Sequence, residues 1–312
     1  MRTISTSVSV SIRTFSELRQ RARQVGPKRV AVVVADDEVA LAAAAGALES
    51  GIAQPVLIGN GGKIRSIAEK LGLKQLCASG EFVNADEGAA NVAARMARDG
   101  KADILLKGHL RTDELLHAVL DTENGLRTGR LLSDVLLYED TVSGERRLVG
   151  LTDGGLNVAP NLEQKKQIVE NAIEVMRCLG IERPKIAIMS ASEVVSESLP
   201  STVDAKALTE MGKAGAFGNA EVYGPLAVDN ALLESAAKAK GIQSPVAGHA
   251  DCLIAPNIES GNMFGKSAKY LGGSQCGHVI VGAKVPILIP SRVESADDKL
   301  NAIALGVLFA CR

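Results

Sequence analysis

Three residues near the end of the chain have the types and the spacing for chemistry on an anionic substrate: Ser291, Arg292 and Asp298. They follow the apolar run 285–289, which predicts a buried strand. That strand would deliver Ser291 and Arg292 to its carboxyl end, the edge at which α/β sheets bind ligands. A hydroxyl, a fixed positive charge and a carboxylate would then meet within eight residues. This combination suits an anionic substrate whose reaction requires the removal of a proton.

Asp298 also has a simpler interpretation as part of a helix cap. Ser295 followed three residues later by an acid is a capping-box pattern, and an apolar helical run comes after it. An acid in the first turn also interacts favourably with the helix dipole. A general base could occupy the same position, but residue physics alone favours the cap.

Two further segments could bind anions. Residues 261–266 predict a loop that enters a helix, where backbone donors, Asn262 and Lys266 would face a ligand. Residues 125–130 place Arg127 and Arg130 among glycines, which suits the phosphates of a nucleotide-like ligand. A plain helix start and solvated surface arginines explain the same two patterns. Neither segment has the spacing of a P-loop.

The sequence lacks the motifs of metal and dinucleotide sites. The four histidines show no metal-ligand spacing, and we expect them in loops or at the surface. No GxGxxG motif follows the first predicted strand, and no GxSxG motif is present. We therefore expect no metal site.

Composition excludes several classes of partner. The formal net charge is −1 over 312 residues, and aromatic residues make up 3% of the chain with no Trp. These values argue against nucleic acids and anionic membranes as partners. Five scattered cysteines without a CxxC pair indicate reduced thiols, and no apolar run reaches 18 residues. We expect a soluble cytoplasmic protein.

The apolar pattern alternates between predicted strands and helices. Strands are predicted at 29–35, 55–59, 102–106 and 185–189, and helices at 38–50, 63–71 and 87–99, with a long helix after Asn161. Such alternation predicts βαβ units and a mostly parallel sheet. A breaker-rich loop places a domain change near 148–153. The predicted division is a first α/β domain of 1–148 plus 284–312 and a second of 149–283, closely packed.

A series of motifs gives the chain a family resemblance. It resembles the phosphate acetyl/butyryltransferase family, more the butyryl-type branch than the long acetyl-type enzymes, from about Phe15 to the C-terminus. The motifs are 126–130, 152–160, 200–205, 224–230, 244–251, 261–263 and 291–292. Their number and order make the resemblance specific.

The resemblance implies a fold and a reaction. The fold is two α/β domains like those of isocitrate and isopropylmalate dehydrogenases, with mostly parallel sheets, helices on both faces and an active site in the interdomain cleft. The reaction interconverts a short-chain acyl-CoA (acetyl or butyryl) and phosphate with an acyl phosphate and CoA. CoA is a substrate, and neither a metal nor another cofactor is needed. The resemblance also suggests a homodimer or a larger homo-oligomer.

The resemblance also assigns catalytic roles. By motif position, Ser291 and Arg292 match the family's Ser-Arg pair, and Asp298 matches its catalytic Asp, which favours the base over the cap. Asp298 would remove the CoA thiol proton, and we expect partial burial to raise its pKa toward that of a useful base. Arg292 would hold the phosphate, and Ser291 would donate a hydrogen bond to the oxyanion.

Four residues are candidates for substrate binding. Arg127 and Arg130 would contact the CoA phosphates, and Asn262 and Lys266 the acyl phosphate. Two other functions compete with the acyltransferase. One is a metal- and NAD-dependent decarboxylating dehydrogenase of similar fold, whose carboxylate cluster we cannot assemble from this sequence. The other is a non-catalytic acyl-CoA-binding protein, which would not need Ser291, Arg292 and Asp298.

Overall fold

The computed structural model describes residues 11–85, 87–291 and 293–312, so Arg292 lies outside the described residues. The described part forms twelve helices and eleven strands. The helices are α1 (Phe15–Val25), α2 (Glu38–Glu49), α3 (Gly61–Lys70), α4 (Lys74–Ser79), α5 (Ala89–Arg98), α6 (Thr112–Leu120), α7 (Leu162–Cys178), α8 (Pro200–Lys213), α9 (Val228–Leu232), α10 (Glu234–Ala239), α11 (Ile258–Tyr270) and α12 (Ala296–Phe309). The strands are β1 (Lys28–Val33), β2 (Ala53–Gly59), β3 (Glu81–Asn84), β4 (Ile104–Lys107), β5 (Ser133–Asp140), β6 (Arg147–Thr152), β7 (Lys185–Met189), β8 (Glu221–Leu226), β9 (Cys252–Ile254), β10 (Cys276–Val281) and β11 (Ile287–Leu288).

All eleven described strands belong to one sheet, in the order β3-β2-β1-β4-β11-β10-β5-β6-β9-β7-β8. The first five strands in this order, β3, β2, β1, β4 and β11, are parallel to one another. The last four, β6, β9, β7 and β8, are also parallel to one another. Strands β10 and β5 join these two parallel blocks by antiparallel pairing. The predicted mostly parallel α/β architecture is therefore confirmed, and the antiparallel pair marks the middle of the sheet.

Helices cover both faces of the sheet. Along β1, Val30 and Val32 join one buried cluster, whereas Ala31 and Val33 join another on the opposite face. Successive side chains of a strand point to opposite faces, so a strand buried on both sides is apolar throughout. This explains why the first predicted strand is a continuous apolar run rather than an alternating one.

Most predicted elements are present, with differences at their ends. Strand β7 has the predicted bounds, and α7 begins after Asn161 with the predicted capping box to Gln164. Strand β11 is shorter than the predicted run, with only Ile287–Leu288 paired. Helix α11 begins at Ile258, earlier than predicted, because Asn257 caps it through the backbone N–H of Ser260.

The sheet runs without a break across the predicted domain boundary. Strand β10 falls in the predicted second domain, yet it pairs with β11 and β5, which were both assigned to the first. The two-domain division therefore stays a prediction. Among the described helices, none has the length and apolar character required to cross a membrane.

Candidate active site

A cavity of about 260 Å³ lies where the two parallel blocks meet. It is lined by side chains of β5, β10 and α11, by the loop after β6 and by the segment after β11. Its polar and charged lining residues are Asp134, Asn262, Lys266, Lys269, Tyr270, Cys276, His278, Ser291 and Glu294. The site therefore combines residues far apart in sequence at the junction of the blocks.

Ser291 reaches this cavity as the sequence predicts. It lies three residues beyond the end of β11, which pairs in parallel with β4, so it follows the carboxyl end of a parallel strand. The side chain is half-buried and lines the cavity. Its neighbour Arg292 lies outside the described residues, and its predicted role stays a prediction.

Asn262 and Lys266 both line the same cavity, but from within a helix. The prediction of a loop at 261–266 is wrong. Asn257 is the N-cap of α11, so the helix begins four residues before Asn262. The backbone N–H of Gly261 is already bonded to the Asn257 carbonyl, so it does not serve as a free anion donor. Instead the Asn262 amide donates to the carbonyl of Gly154 at 2.9 Å and ties α11 to the loop after β6.

Two glycines allow the cavity walls to approach closely. A Cβ at Gly265 of α11 would lie 2.8 Å from Leu136 Cδ2, and a Cβ at Gly155 would lie 2.5 Å from Asp134 Oδ2. At these distances a side chain at either position would force Leu136 or Asp134 to shift. The glycines thus bring helix α11 and the loop after β6 against strand β5.

A charged cluster of Asp134, His278 and Glu294 lines the cavity. His278 Nδ1 is 3.3 Å from Asp134 Oδ2, and Nε2 is 3.3 Å from Glu294 Oε1. Burial by itself would lower the pKa of His278, but the two carboxylates outweigh it and raise the pKa to about 10. Burial would raise the pKa of Glu294, yet His278 holds it below its ordinary value. The imidazole is therefore a cation at neutral pH.

Asp298 forms the predicted cap of α12. Its Oδ2 accepts hydrogen bonds from the Ser295 hydroxyl at 2.6 Å and the Ser295 backbone N–H at 3.2 Å, while its own N–H donates to the Ser295 hydroxyl. Oδ2 also accepts from Lys269 Nζ at 2.5 Å, and Oδ1 accepts from the backbone N–H of Cys276 at 3.1 Å. The carboxylate is buried behind Lys269 and Cys276, both of which line the cavity.

The expected rise in the pKa of Asp298 is wrong. Burial does act in that direction, but the hydrogen bonds from Lys269, Ser295 and Cys276 outweigh it and lower the pKa below its ordinary value. A carboxylate with this many donors is ionised at neutral pH but is a weaker base than a free one. The capping interpretation is confirmed, and the catalytic interpretation is untested.

Arg127 and Arg130 lie in a second cavity of about 480 Å³, which they line together with Asn157 and several leucines. Arg130 is held by other residues: its guanidinium pairs with Glu174 at 2.7 Å and donates to Asn171 Oδ1 at 2.6 Å. Arg127 is exposed, and within the described part of the chain its guanidinium has no ion-pair partner. Of the two, Arg127 is the more available for a ligand.

The loop 153–160 borders three cavities. Gly154 and Gly155 line the Ser291 cavity, Leu156 and Asn157 line the Arg127 cavity, and Ala159 and Pro160 line a third, more apolar cavity of about 590 Å³. Asp153 shapes this loop by accepting the backbone N–H groups of 155 and 156 at 2.8 Å and the amide of Asn157 at 2.6 Å. Burial raises the pKa of Asp153, and the neighbouring Asp134 adds to the effect.

Sequence reasoning missed Asp134, His278, Glu294 and Lys269. The histidines were expected in loops or at the surface rather than in a site, and for His278 this is wrong because it lines the cavity from β10. One signal was available: a titratable residue inside an apolar strand needs a polar partner. Across the described ranges, no group of three or more His, Cys, Asp and Glu side chains is placed to hold a metal ion.

Comparison with known proteins gives one consistent family. A family model described as "Phosphate acetyl/butaryl transferase" matches residues 78–307. A phosphate butyryltransferase of Clostridium acetobutylicum is 40% identical over 301 residues, which cover 96% of this chain and 99% of that protein. A phosphate acetyltransferase of Rhizobium meliloti is 37% identical over 302 residues, which cover 96% of this chain and 94% of that protein.

A solved structure agrees with these relatives. The chain superposes on a branched-chain phosphotransacylase from Enterococcus faecalis V583 with a TM-score of 0.80 and 31% sequence identity. The superposition covers 91% of this chain and 99% of that one. The similarity therefore extends to the fold that brings the cavities together.

Proposed function

Because the chain belongs to the phosphate acetyl/butyryltransferase family and is a phosphate acyltransferase, we propose that its reaction takes place in the Ser291 cavity. There an acyl-CoA and phosphate would exchange with an acyl phosphate and CoA. One observation carries the proposal: Ser291, Asn262 and Lys266 share this cavity, and the loop 153–160 lines both it and the cavity of Arg127. Two substrates held side by side react faster because their encounter is already arranged.

The proposed base is Asp298. The thiolate of CoA is the reactive form, so a base near the sulfur removes the limit set by the thiol pKa. Since Oδ2 accepts from Lys269 and from both the hydroxyl and the backbone N–H of Ser295, proton uptake at Oδ2 would require one of these donors to turn away. Lys269 is the better candidate because its side chain already lines the cavity. The thiolate then attacks the acyl carbonyl carbon, and phosphate leaves.

Ser291 and Arg292 are proposed to stabilise the developing charge. The Ser291 hydroxyl would donate to the oxygen of the tetrahedral intermediate, which gains negative charge as the thiolate adds. Arg292 would hold the phosphate through its planar fork of donors. Arg292→Lys keeps the charge but loses the fork, so it should raise the phosphate KM without changing the melting temperature. Unchanged turnover and phosphate dependence would remove Arg292 from the site.

The substrate contacts are proposed from the two cavities. Asn262 and Lys266 would hold the acyl phosphate, because both side chains line the Ser291 cavity. Arg127 would contact a CoA phosphate, and Arg130 would support that cavity through Glu174 and Asn171. This refines the sequence-based proposal, in which the two arginines had the same role.

The remaining expectations from the sequence are also proposals. The junction of the two parallel blocks would be the cleft of a dehydrogenase-like two-domain fold, and the chain would act in the cytoplasm without a metal or another cofactor. A homodimer or larger assembly is proposed, and light scattering that found only a species of about 32.5 kDa at micromolar concentration would refute it.

Thiol release tests the proposed function. The purified chain should release CoA from acetyl-, propionyl- or butyryl-CoA only when phosphate is present, and the acyl phosphate should accumulate in equal amount. A panel of acyl chain lengths then gives the preference. Release without phosphate would indicate a thioesterase and contradict the proposal. Binding of CoA with no release in the presence of phosphate would favour a non-catalytic acyl-CoA-binding protein.

A further inference from the structure

The Ser291 cavity contains two carboxylates, although the proposed reaction brings an anion into it. Asp134 has a side chain that is 13% exposed, and that of Glu294 is 6% exposed. Charges so far from solvent act strongly on one another because water screens them little. Without compensation, this pair would repel phosphate from the place where it is needed.

His278 is placed to provide that compensation. Each of its ring nitrogens faces one carboxylate, Nδ1 toward Asp134 and Nε2 toward Glu294, both at 3.3 Å. A protonated imidazole has a donor on both nitrogens, so it can bond to both acids at once. The rest of β10 from Val279 to Val281 is apolar and buried, so His278 is the charged group that this strand contributes to the cavity.

We propose that His278 is a positioning residue that admits phosphate to the cavity by neutralising one of the two carboxylates. The inference rests on the proposed placement of phosphate beside Ser291. Two carboxylates and one imidazolium sum to a charge of −1, and without the imidazolium the sum is −2. The raised pKa of His278, about 10, keeps the cation present throughout the neutral range.

The other described cations of the cavity do not replace His278. Before the proposed proton transfer, Lys269 of α11 pairs with Asp298 at 2.5 Å, so its charge is balanced by a third carboxylate when phosphate first enters. Lys266 is exposed to solvent, which screens its effect on the buried acids. His278 alone among these three lies between Asp134 and Glu294.

Replacement of His278 by Asn tests the proposal. His278→Asn should raise the KM for phosphate by about fivefold or more, because one uncompensated carboxylate charge lining the same cavity weakens the binding of an anion. The KM for acyl-CoA should change by less than about twofold, since the proposed CoA contacts lie across the loop 153–160. His117→Asn, on the exposed face of α6, is the matched control and should change neither constant.

A second substitution separates charge from structure. His278→Asn combined with Glu294→Gln restores the charge of −1, so the phosphate KM should return to within about twofold of the wild-type value. A purely structural role predicts the opposite, because the double variant loses more hydrogen bonds than the single one. An unchanged phosphate KM in His278→Asn, or a double variant no better than the single one, would overturn the proposal.

Two further measurements keep the outcome clear. If His278→Asn does not fold, Glu294→Gln alone decides: it removes one negative charge and should lower the phosphate KM, and an unchanged or higher KM would overturn the proposal. Protection against thermal unfolding by inorganic phosphate should follow the same order among the variants without requiring turnover. If the wild-type chain shows no phosphate-dependent CoA release, the proposed function fails before any variant is measured.

Discussion

Lys269 and Asp298 form an ion pair, with Nζ and Oδ2 2.5 Å apart, between the end of α11 and the start of α12. The side chains are 16% and 9% exposed, so the pair is largely removed from solvent. The same Oδ2 also accepts a hydrogen bond from the hydroxyl of Ser295, the N-cap residue of α12. One carboxylate thus joins two helices at the edge of the cavity, which gives Asp298 a structural role whatever its part in the reaction.

The first prediction separates the base from the cap at Asp298. Asp298→Asn removes the charge but keeps the shape, so both the melting temperature and turnover should fall. If Asp298 is the base, turnover should drop by roughly 10²-fold or more. The defect should shrink as the pH approaches the thiol pKa of about 8.5, because free thiolate then needs no base.

The matched control for this prediction is Ser295→Ala. It removes the capping hydroxyl at a cost of about 1 kcal/mol but leaves the carboxylate and its pairing with Lys269 in place. Its turnover should stay close to that of the wild-type chain. If Asp298→Asn behaves like Ser295→Ala in both melting and turnover, Asp298 has only the structural role.

The second prediction distinguishes the two arginines of the second cavity. Arg127→Ala should raise the KM for acyl-CoA by roughly tenfold and leave the melting temperature unchanged, because one charge-assisted contact to a phosphate is lost. Arg130→Ala should lower the melting temperature instead, since it removes one of the two ion pairs of Glu174 and leaves Asn171 Oδ1 without its donor. Steady-state kinetics and thermal unfolding measure both. The reverse pattern would give Arg130 the role of ligand contact.

The third prediction concerns the thiol in the cavity. Burial raises the pKa of Cys276 to about 12, so the thiol is protonated at neutral pH and is a poor nucleophile. Iodoacetamide at pH 7.5 should label the exposed Cys311 first and leave Cys276 and Cys252 unmodified. Peptide mass spectrometry with parallel activity measurement checks this. Labelling of Cys276 as fast as that of Cys311 would contradict the prediction.

The sequence predicts much of the fold because local signals agree with tertiary packing. β7 and the capping box of α7 are correct since apolar runs and cap residues act over a few positions. The alternation of strands and helices also predicts the parallel blocks. The antiparallel pairing of β10 with β5 joins segments distant in sequence, and no local pattern encodes it.

The candidate site was predictable only where its residues are neighbours in sequence. Ser291 and Asp298 are seven positions apart and share one strand-to-helix connection. The cluster of Asp134, His278 and Glu294 comes from three separate segments, which only the fold brings together. The pKa of Asp298 was misjudged for the same reason, because Lys269 and Cys276 reach it from other elements.

The last prediction follows from the charge of His278 and concerns stability. The folded-state pKa of about 10 exceeds the unfolded value of about 6.5, so the folded chain binds this proton more tightly. The resulting stabilisation is fully present below pH 6.5 and is lost as the pH rises toward 10. The wild-type chain should therefore melt at least about 3 °C above His278→Asn at pH 6.5, and this difference in melting temperature should fall to about 1 °C or less near pH 10.5.

The exposed control His117→Asn should have the melting temperature of the wild-type chain at both pH values. A gap of constant size across this range would mean that His278 stabilises by packing alone, and a gap that widens with pH would show that the histidine is neutral in the folded chain.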